Sequence, residues 1–168
     1  MRKEIPDRQF HTVDEFFKSD KQYDVIRLSN VFEHFTNPKE MMLQLKSKLK
    51  PGGYFMIEGP VETNFNWALQ FRKVYFKVRK MMSSAYIANH TPTHIVFTNK
   101  KNQQAFFNEL GLQEVHFKLS EAEWPFPPSF AKAQGVVGKL NVIIAKTSIT
   151  LQRLNPNWGN TFIYIGKV

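Results

Sequence analysis

The 168-residue chain is long enough to bury a hydrophobic core as one domain. Hydrophobic residues make up 42% of it and aromatic residues 14%, which is too apolar for a disordered chain. It has no cysteine, so disulfides and thiolate metal sites are excluded. No apolar run reaches the roughly 18–20 residues that span a membrane, and Met1–Phe10 lacks the apolar core of a secretory signal. We therefore expect a cytoplasmic globular domain.

The formal net charge is +9, from 23 basic and 14 acidic residues. Much of the excess lies in two clusters, Lys46–Lys50 and Arg72–Lys80. A cationic face on a small domain is more often a solvated surface than a binding site. We therefore expect no nucleic-acid partner.

The first half of the chain predicts a strand–helix–strand unit. Tyr23–Ser29 is a short, mostly apolar run that is typical of a strand in a parallel sheet. Asn37 suits the N-cap of a helix that begins at Pro38, and the Pro-Gly-Gly sequence at 51–53 is expected to end this helix and turn the chain. Tyr54–Ile57 is a second apolar strand. This order predicts a right-handed crossover between two parallel strands.

The second half predicts further helices and strands. Apolar positions repeat at helical spacing over 64–82 and again over 136–151. A capped helix is expected over about 100–110, and a half-exposed strand over 112–119. Phe162–Ile165 closes the chain as a strand without a further crossover helix, so it is expected to run antiparallel. The predicted class is α/β, with a mostly parallel sheet and an antiparallel C-terminal strand.

Two motifs at matching spacing carry a family resemblance. Residues 23–35, Tyr-Asp-Val-Ile-Arg-Leu-Ser-Asn-Val-Phe-Glu-His-Phe, resemble the fourth strand and the following loop of class I S-adenosylmethionine-dependent methyltransferases. Residues 48–58 resemble the Leu-Lys-Pro-Gly-Gly turn and fifth strand of the same family, and residues 91–98 carry a weaker likeness to a later segment. The resemblance implies a partial Rossmann-like sheet, in which residues 1–168 form a single domain, the C-terminal portion of a methyltransferase domain.

The resemblance implies S-adenosylmethionine as the cofactor and a rim of site residues where the parallel strands end. The implied cofactor residues are Ser29 and Asn30, together with Thr12 and Val13 in a segment, 9–16, that resembles the remnant of a third strand and its adenine-side turn. His34 is the candidate catalytic base, because a neutral imidazole can accept a proton near pH 7. Alternatively, the Glu-His pair at 33–34 is structural. The implied substrate-side residues are Glu33, Glu58, Pro60 and His94.

The sequence contains neither a Gly-x-Gly-x-x-Gly nor a Glu/Asp-x-Gly-x-Gly motif. We therefore expect this chain alone to bind S-adenosylmethionine weakly or not at all. Two functions stay open. Either the chain is a fragment or part of an enzyme that methylates a small, lipid-like or glycan acceptor, or it is a non-catalytic module that binds an acceptor or a partner chain. An uncovered apolar sheet edge would favour a homo-oligomer, or pairing with an N-terminal half.

Three further patterns have competing interpretations. His90 and His94 have the spacing of two metal ligands on a helix, but Pro92 breaks that helix. With no cysteine and no neighbouring carboxylate, we expect no metal site. The stripe over 64–82 either packs on the sheet or makes a peripheral membrane contact, with its cations toward lipid. The Pro-rich loop at 124–128 either binds a sugar or hydrophobic acceptor or packs on the surface.

Overall fold

The computed structural model of the protein describes residues 12–82, 94–121 and 129–168. The α-helices are α1 (Val13–Lys18), α2 (Pro38–Ser47), α3 (Trp67–Met82), α4 (Lys100–Glu109) and α5 (Gly135–Gln152). The strands are β1 (Tyr23–Ser29), β2 (Leu49–Pro60), β3 (Gln113–Ser120) and β4 (Thr161–Lys167). The loop predicted at 124–128, His90 and residues 91–93 lie outside the described residues. None of the helices in the described part of the chain combines the length and apolar character that crossing a bilayer requires.

The four strands form one mixed sheet in the order β1-β2-β4-β3. β1 pairs with β2 in parallel, and β4 runs antiparallel to both β2 and β3. The first three strands therefore point the same way, and the C-terminal strand opposes them. This topology confirms the predicted α/β class, the parallel pairing of the first two strands and the antiparallel C-terminal strand.

One face of the sheet carries the hydrophobic core. Side chains alternate between the two faces of a strand, so Phe55 and Ile57 of β2 lie on the same face, and neither is exposed. Ile57 lies opposite Tyr164 of β4, whose ring stacks on Phe107 of α4 at a centroid distance of 4.2 Å. Other buried members of this core are Ile26, Leu28, Phe32, Met42, Leu45 and Leu110. The core thus joins the sheet to α2 and α4.

The predicted turn at 51–53 is wrong as a strand boundary, because β2 already begins at Leu49. Tyr23 lies opposite Leu49, whereas Val25 lies opposite Tyr54, so the extra residues of β2 form an irregularity within the ladder. Gly52 has a φ of +75°, which a glycine adopts without strain. The Pro-Gly-Gly sequence therefore lies at an irregularity within β2, and the pairing with β1 continues on both sides of it.

The expected strand remnant at 9–16 is wrong for its described part, because the chain is helical from Val13 to Lys18. Thr12 caps this helix: its hydroxyl accepts a hydrogen bond from the Glu15 N–H at 3.2 Å, and its own N–H donates to the Glu15 carboxylate at 2.7 Å. This reciprocal capping box stabilises a helix start. Phe16 then stacks on Tyr23, the first residue of β1, at 5.3 Å.

Helix α3, within the stripe predicted over 64–82, packs against α5. Its N-terminus is held by Glu121, whose carboxylate accepts the Ala68 N–H at 3.0 Å. Val74 and Met81 remain 63% and 81% exposed. Part of the apolar stripe therefore faces outward in the described structure.

Candidate functional site

The carboxyl ends of β1 and β2 lie side by side and form a rim of polar residues. Ser29, the last residue of β1, lies opposite Glu58 of β2, and the Asn30 N–H donates to the Glu58 carbonyl at 2.9 Å. Asn30 has a φ of +51°, a left-handed conformation that Asn tolerates better than most non-glycine residues. This conformation turns the chain away from the sheet immediately after the strand.

Glu58 is the charged centre of this rim. One carboxylate oxygen accepts hydrogen bonds of 2.5 Å from the Ser29 hydroxyl and from the Arg27 guanidinium. These two hydrogen bonds, that from Ser29 first, lower the pKa of Glu58 below its ordinary value. Glu58 is therefore ionised and forms an ion pair with Arg27 on the face of the sheet opposite the core. The strand extends past the predicted end at Ile57, so residues 58–60 are the last part of β2, where Pro60 lies opposite Thr161.

A second group of site residues lies at the same end of the sheet, on its core-bearing side. The backbone carbonyl of Glu33 accepts hydrogen bonds from the Ile95 and Val96 N–H groups at 2.9 and 3.0 Å. This pair of bonds ties the segment before α4 to the turn that follows β1. As a result, the His34 and His94 rings meet edge to face, with their centroids 5.1 Å apart.

The Glu33 side chain lies beneath these two rings and is only 4% exposed. Its Oε1 lies 3.9 Å from Nε2 of His34, and its Oε2 has no hydrogen-bond partner in the described structure. Gly59 of β2 faces this carboxylate, since a Cβ at that position would lie 3.2 Å from Oε2. The missing side chain at 59 therefore makes room for the Glu33 carboxylate.

Glu62, just beyond the end of β2, holds His94 from the other side. Its Oε1 contacts Nδ1 of the His94 ring, and both side chains are 24% exposed. A hydrogen bond from Nδ1 to the carboxylate leaves the lone pair on Nε2. The ligating atoms of Glu33, His34 and His94 all lie within 4.8 Å of one another. We call these three residues with Glu62 the histidine cluster.

The predicted site residues thus fall into two groups and one outlying pair. Ser29, Asn30, Glu58 and Pro60 follow the β1–β2 rim, and Glu33, His34 and His94 form most of the histidine cluster. Thr12 and Val13 instead begin α1, where the Thr12 side chain is engaged in the capping box and Val13 is 66% exposed.

Arg27 and Glu62 were not predicted as site residues. Arg27 could have been found from the two-residue period of β1, because this period places Arg27 on the same face as Ser29. No sequence pattern pointed to Glu62.

Two surface clefts lie elsewhere on the molecule. One of about 560 Å³ runs along α2 beside Leu43 and Gln44. The other, of about 460 Å³, lies between α4 and β3 beside Gln104 and Tyr164. Neither contains a predicted site residue, and neither joins a histidine to a carboxylate. The chemistry of the rim and the histidine cluster is the stronger indicator of function.

The sheet order, the antiparallel last strand and the rim at the carboxyl ends of β1 and β2 define a Rossmann-like domain of the class I methyltransferase type. The sequence profile of a family described as methyltransferase domain matches residues 2–116. The chain therefore belongs to this methyltransferase family. A search of curated protein sequences finds no significant match.

The chain is also similar to solved structures of methyltransferases. A SAM-dependent methyltransferase from Archaeoglobus fulgidus is 21% identical, with a TM-score of 0.50, and the alignment covers 92% of this chain and 64% of that one. A SAM-dependent methyltransferase from Methanosarcina mazei is 14% identical with a TM-score of 0.45, and the alignment covers 90% of this chain and 63% of that one. The chain thus spans less than two thirds of the length of these structures. Identities this low show the fold alone.

Proposed function

We propose that the chain takes part in methyl transfer from S-adenosylmethionine and supplies the methionine-side and acceptor-side rim of the site. The observation that carries the proposal is that the β1–β2 rim and the histidine cluster both lie at the carboxyl ends of two parallel strands, on the two faces of the sheet. Ligands of open α/β sheets bind outside such strand ends. Membership of the methyltransferase family supports the reaction. The absence of cysteine suits a cytoplasmic site of action.

Ser29 and Asn30 are the proposed contacts to the methionine portion of the cofactor. The left-handed turn at Asn30 brings a side-chain amide to the end of β1, and this amide offers both a donor and an acceptor. Glu58 is assigned to the substrate side together with Pro60. Its ionised carboxylate directs both of its hydrogen bonds through Oε1, which leaves Oε2 to accept a hydrogen bond from a substrate hydroxyl or ammonium group.

His34 is the proposed base for an acceptor that carries a hydroxyl group. Its side chain is 47% exposed, so an acceptor can approach it. S-adenosylmethionine would supply the methyl group, and His34 would accept the proton that the acceptor oxygen loses as it is methylated. Orientation supplies most of the acceleration, and a general base contributes about 10²–10⁴-fold.

A lipid-like acceptor is the substrate class that α3 favours. Exposed apolar residues Val74, Val78 and Met81 lie on this helix beside exposed lysines at 73, 77 and 80. Such a surface suits a peripheral contact with an anionic membrane. In this proposal α3 holds the chain near the lipid phase while the rim carries the chemistry.

The outer edge of β1 is a proposed partner surface. β1 ends the described sheet, and Val25 is 54% exposed. An uncovered strand edge pairs readily with another strand, so we propose that a second copy, or a segment bearing a glycine-rich cofactor loop, covers it. Light scattering of the purified chain tests the first of these, because self-association through β1 gives a dimer that Val25→Lys dissociates. A monomer would exclude the second copy.

Ligand-observed NMR tests the cofactor assignment. With the full chain and excess S-adenosylmethionine, we expect saturation transfer to the methionyl protons and a weak affinity. Asn30→Ala should reduce this transfer, whereas Asn108→Ala, on the exposed side of α4, should not. The absence of transfer, or equal transfer in both variants, would refute the assignment and favour a non-catalytic module.

A further inference from the structure

We propose that Glu33, His34 and His94 bind one divalent transition-metal ion, with Glu62 orienting His94 from outside. The three ligating groups come from two separate segments, yet their ligating atoms lie within 4.8 Å of one another. Two ligand atoms bonded to one ion at about 2.0–2.2 Å lie at most about 4.4 Å apart, and the 3.9 Å between Oε1 of Glu33 and Nε2 of His34 falls within that span. One ligand is buried and the other two are accessible.

The donor set specifies the class of metal. Two imidazoles and one carboxylate suit zinc and neighbouring first-row dications, whereas magnesium and calcium prefer sites made of oxygen alone. Three protein ligands also leave coordination positions open for water or for a substrate oxygen.

The buried carboxylate of Glu33 is the second and independent indication. It is 4% exposed, and its Oε2 has no hydrogen-bond partner in the described structure. Burying a carboxylate without a partner is costly. A cation bound between Glu33 and the two histidines would supply the missing interaction, and Gly59 keeps the space beside the carboxylate clear.

Glu62 completes the arrangement. It contacts Nδ1 of His94, which restrains the ring and leaves Nε2 to bind an ion. Metal-binding histidines commonly donate their second ring N–H to a carboxylate in this way. The two hydrogen bonds from residues 95 and 96 to the Glu33 carbonyl hold His94 next to His34, so the ligands are positioned before any ion binds.

The inference does not depend on the proposed methyl transfer, but it changes the role of His34 within it. A nitrogen that binds a cation cannot accept a proton at the same time. With the metal bound, an acceptor oxygen in an open coordination position would lose its proton more readily, because the cation lowers its pKa. Residue spacing did not predict this site, because the histidine pair at ligand spacing was His90 and His94.

The test is a metal titration of the chelator-treated full chain without cofactor, with zinc followed by calorimetry and cobalt by visible absorption. We expect one ion per chain. His34→Ala and His94→Ala should each weaken binding at least about 10-fold, and Glu62→Gln by about 10–100-fold. His116→Ala, which removes an exposed histidine from β3, should leave the affinity unchanged. Magnesium should compete poorly.

Circular dichroism of each variant separates lost binding from lost folding, and half-exposed His34 is the variant expected to fold best. The proposal is overturned if the wild-type chain binds no ion, or if a folded His34→Ala variant binds zinc as well as wild type does. It is also overturned if His116→Ala weakens binding equally. Because no cofactor is present, a failure here leaves the methyl-transfer proposal standing, and a failure of the cofactor NMR test leaves the metal site standing.

Discussion

Ser29 donates a 2.5 Å hydrogen bond to the Glu58 carboxylate across the parallel β1–β2 pair. Arg27, two residues earlier on the same face of β1, donates to the same oxygen. The two donors hold the pKa of Glu58 below its ordinary value, with the Ser29 bond the larger cause. At neutral pH the rim therefore holds Glu58 as a carboxylate that is paired with the Arg27 guanidinium.

The depressed pKa of Glu58 predicts a pH-dependent contribution to stability. Because the folded-state pKa lies below the ordinary value of 4.5, the contribution is present above that value and is lost as the pH falls through the folded-state pKa. The free energy of unfolding of the wild type, relative to Glu58→Gln, should be constant near pH 7 and decline below about 4.5. Urea unfolding across this pH range measures the difference.

The same pair predicts a shift that NMR can follow directly. The pKa of Glu58 should rise toward its ordinary value in Ser29→Ala, which removes the hydrogen bond that lowers it most, and also in Arg27→Gln, which removes a hydrogen bond and a positive charge. A carboxyl carbon titration reports each value. An unchanged Glu58 pKa in Ser29→Ala would contradict the assigned cause.

Local patterns were sufficient to predict much of the fold. The strand over 23–29 and the helix that begins at Pro38 both have the predicted starts, because a buried apolar run and an Asn-Pro cap are set by neighbouring residues. The capping box at Thr12 was equally local, yet the family resemblance drew the interpretation toward a strand. In that segment the local capping pattern was a better guide to the structure than the family resemblance.

The histidine cluster could not be predicted from local patterns. His34 follows β1 and His94 precedes α4, and their approach depends on hydrogen bonds from the 95–96 segment to the Glu33 carbonyl. Only the folded chain creates that contact. The kink at 51–53 was missed for a related reason, because a Pro-Gly-Gly sequence looks the same in a turn and in a strand bulge.

The left-handed turn at Asn30 separates backbone strain from side-chain function. Asn30→Gly should unfold at equal or higher urea concentration, because glycine adopts a positive φ freely. Asn30→Ala should lose about 1 kcal/mol. If the amide contacts the cofactor, both variants should lose saturation transfer to S-adenosylmethionine. Full transfer to the glycine variant would show that the backbone, and not the amide, matters.

Glu121 caps the N-terminus of α3, but the burial of its carboxylate disfavours the charged form. Burial raises its pKa above the ordinary value despite hydrogen bonds from the Ala68 and Trp67 N–H groups. Its stabilising contribution is therefore greatest at low pH and declines as the pH rises through the folded-state pKa. At pH 7 we expect Glu121→Gln to be at least as stable as wild type, whereas Glu121→Ala should lose about 1–2 kcal/mol with the cap. Thermal unfolding of both variants decides the point.

The exposed apolar residues of α3 predict binding to anionic lipid. The chain should co-sediment with vesicles that contain phosphatidylglycerol and not with vesicles of phosphatidylcholine alone, because exposed lysines at 73, 77 and 80 favour negative headgroups. Val74→Asp should abolish co-sedimentation. Val136→Asp, at an 84% exposed position on α5, is the matched control and should bind as wild type does. Equal loss in both variants would mean a general effect of charge.

Gly59→Ala offers a test of the metal site that alters no ligand. The new Cβ would lie 3.2 Å from Oε2 of Glu33 and 3.6 Å from the Phe162 ring. The carboxylate is the more mobile of the two neighbours, so it should shift by a few tenths of an ångström while the fold persists. That shift moves one ligand away from the two histidines, which are held by Glu62 and by the 95–96 hydrogen bonds. Zinc affinity should therefore fall by about 10-fold, as for other changes that disturb ligand orientation.

Gly138→Ala in α5 meets its nearest atom, in Ala133, at the same 3.2 Å but lies far from the cluster in sequence and contacts none of its residues, so it should bind zinc unchanged. Calorimetry on both variants, with thermal unfolding to confirm that each is folded, makes the comparison. Equal affinities in the two variants would mean that Glu33 does not hold the ion.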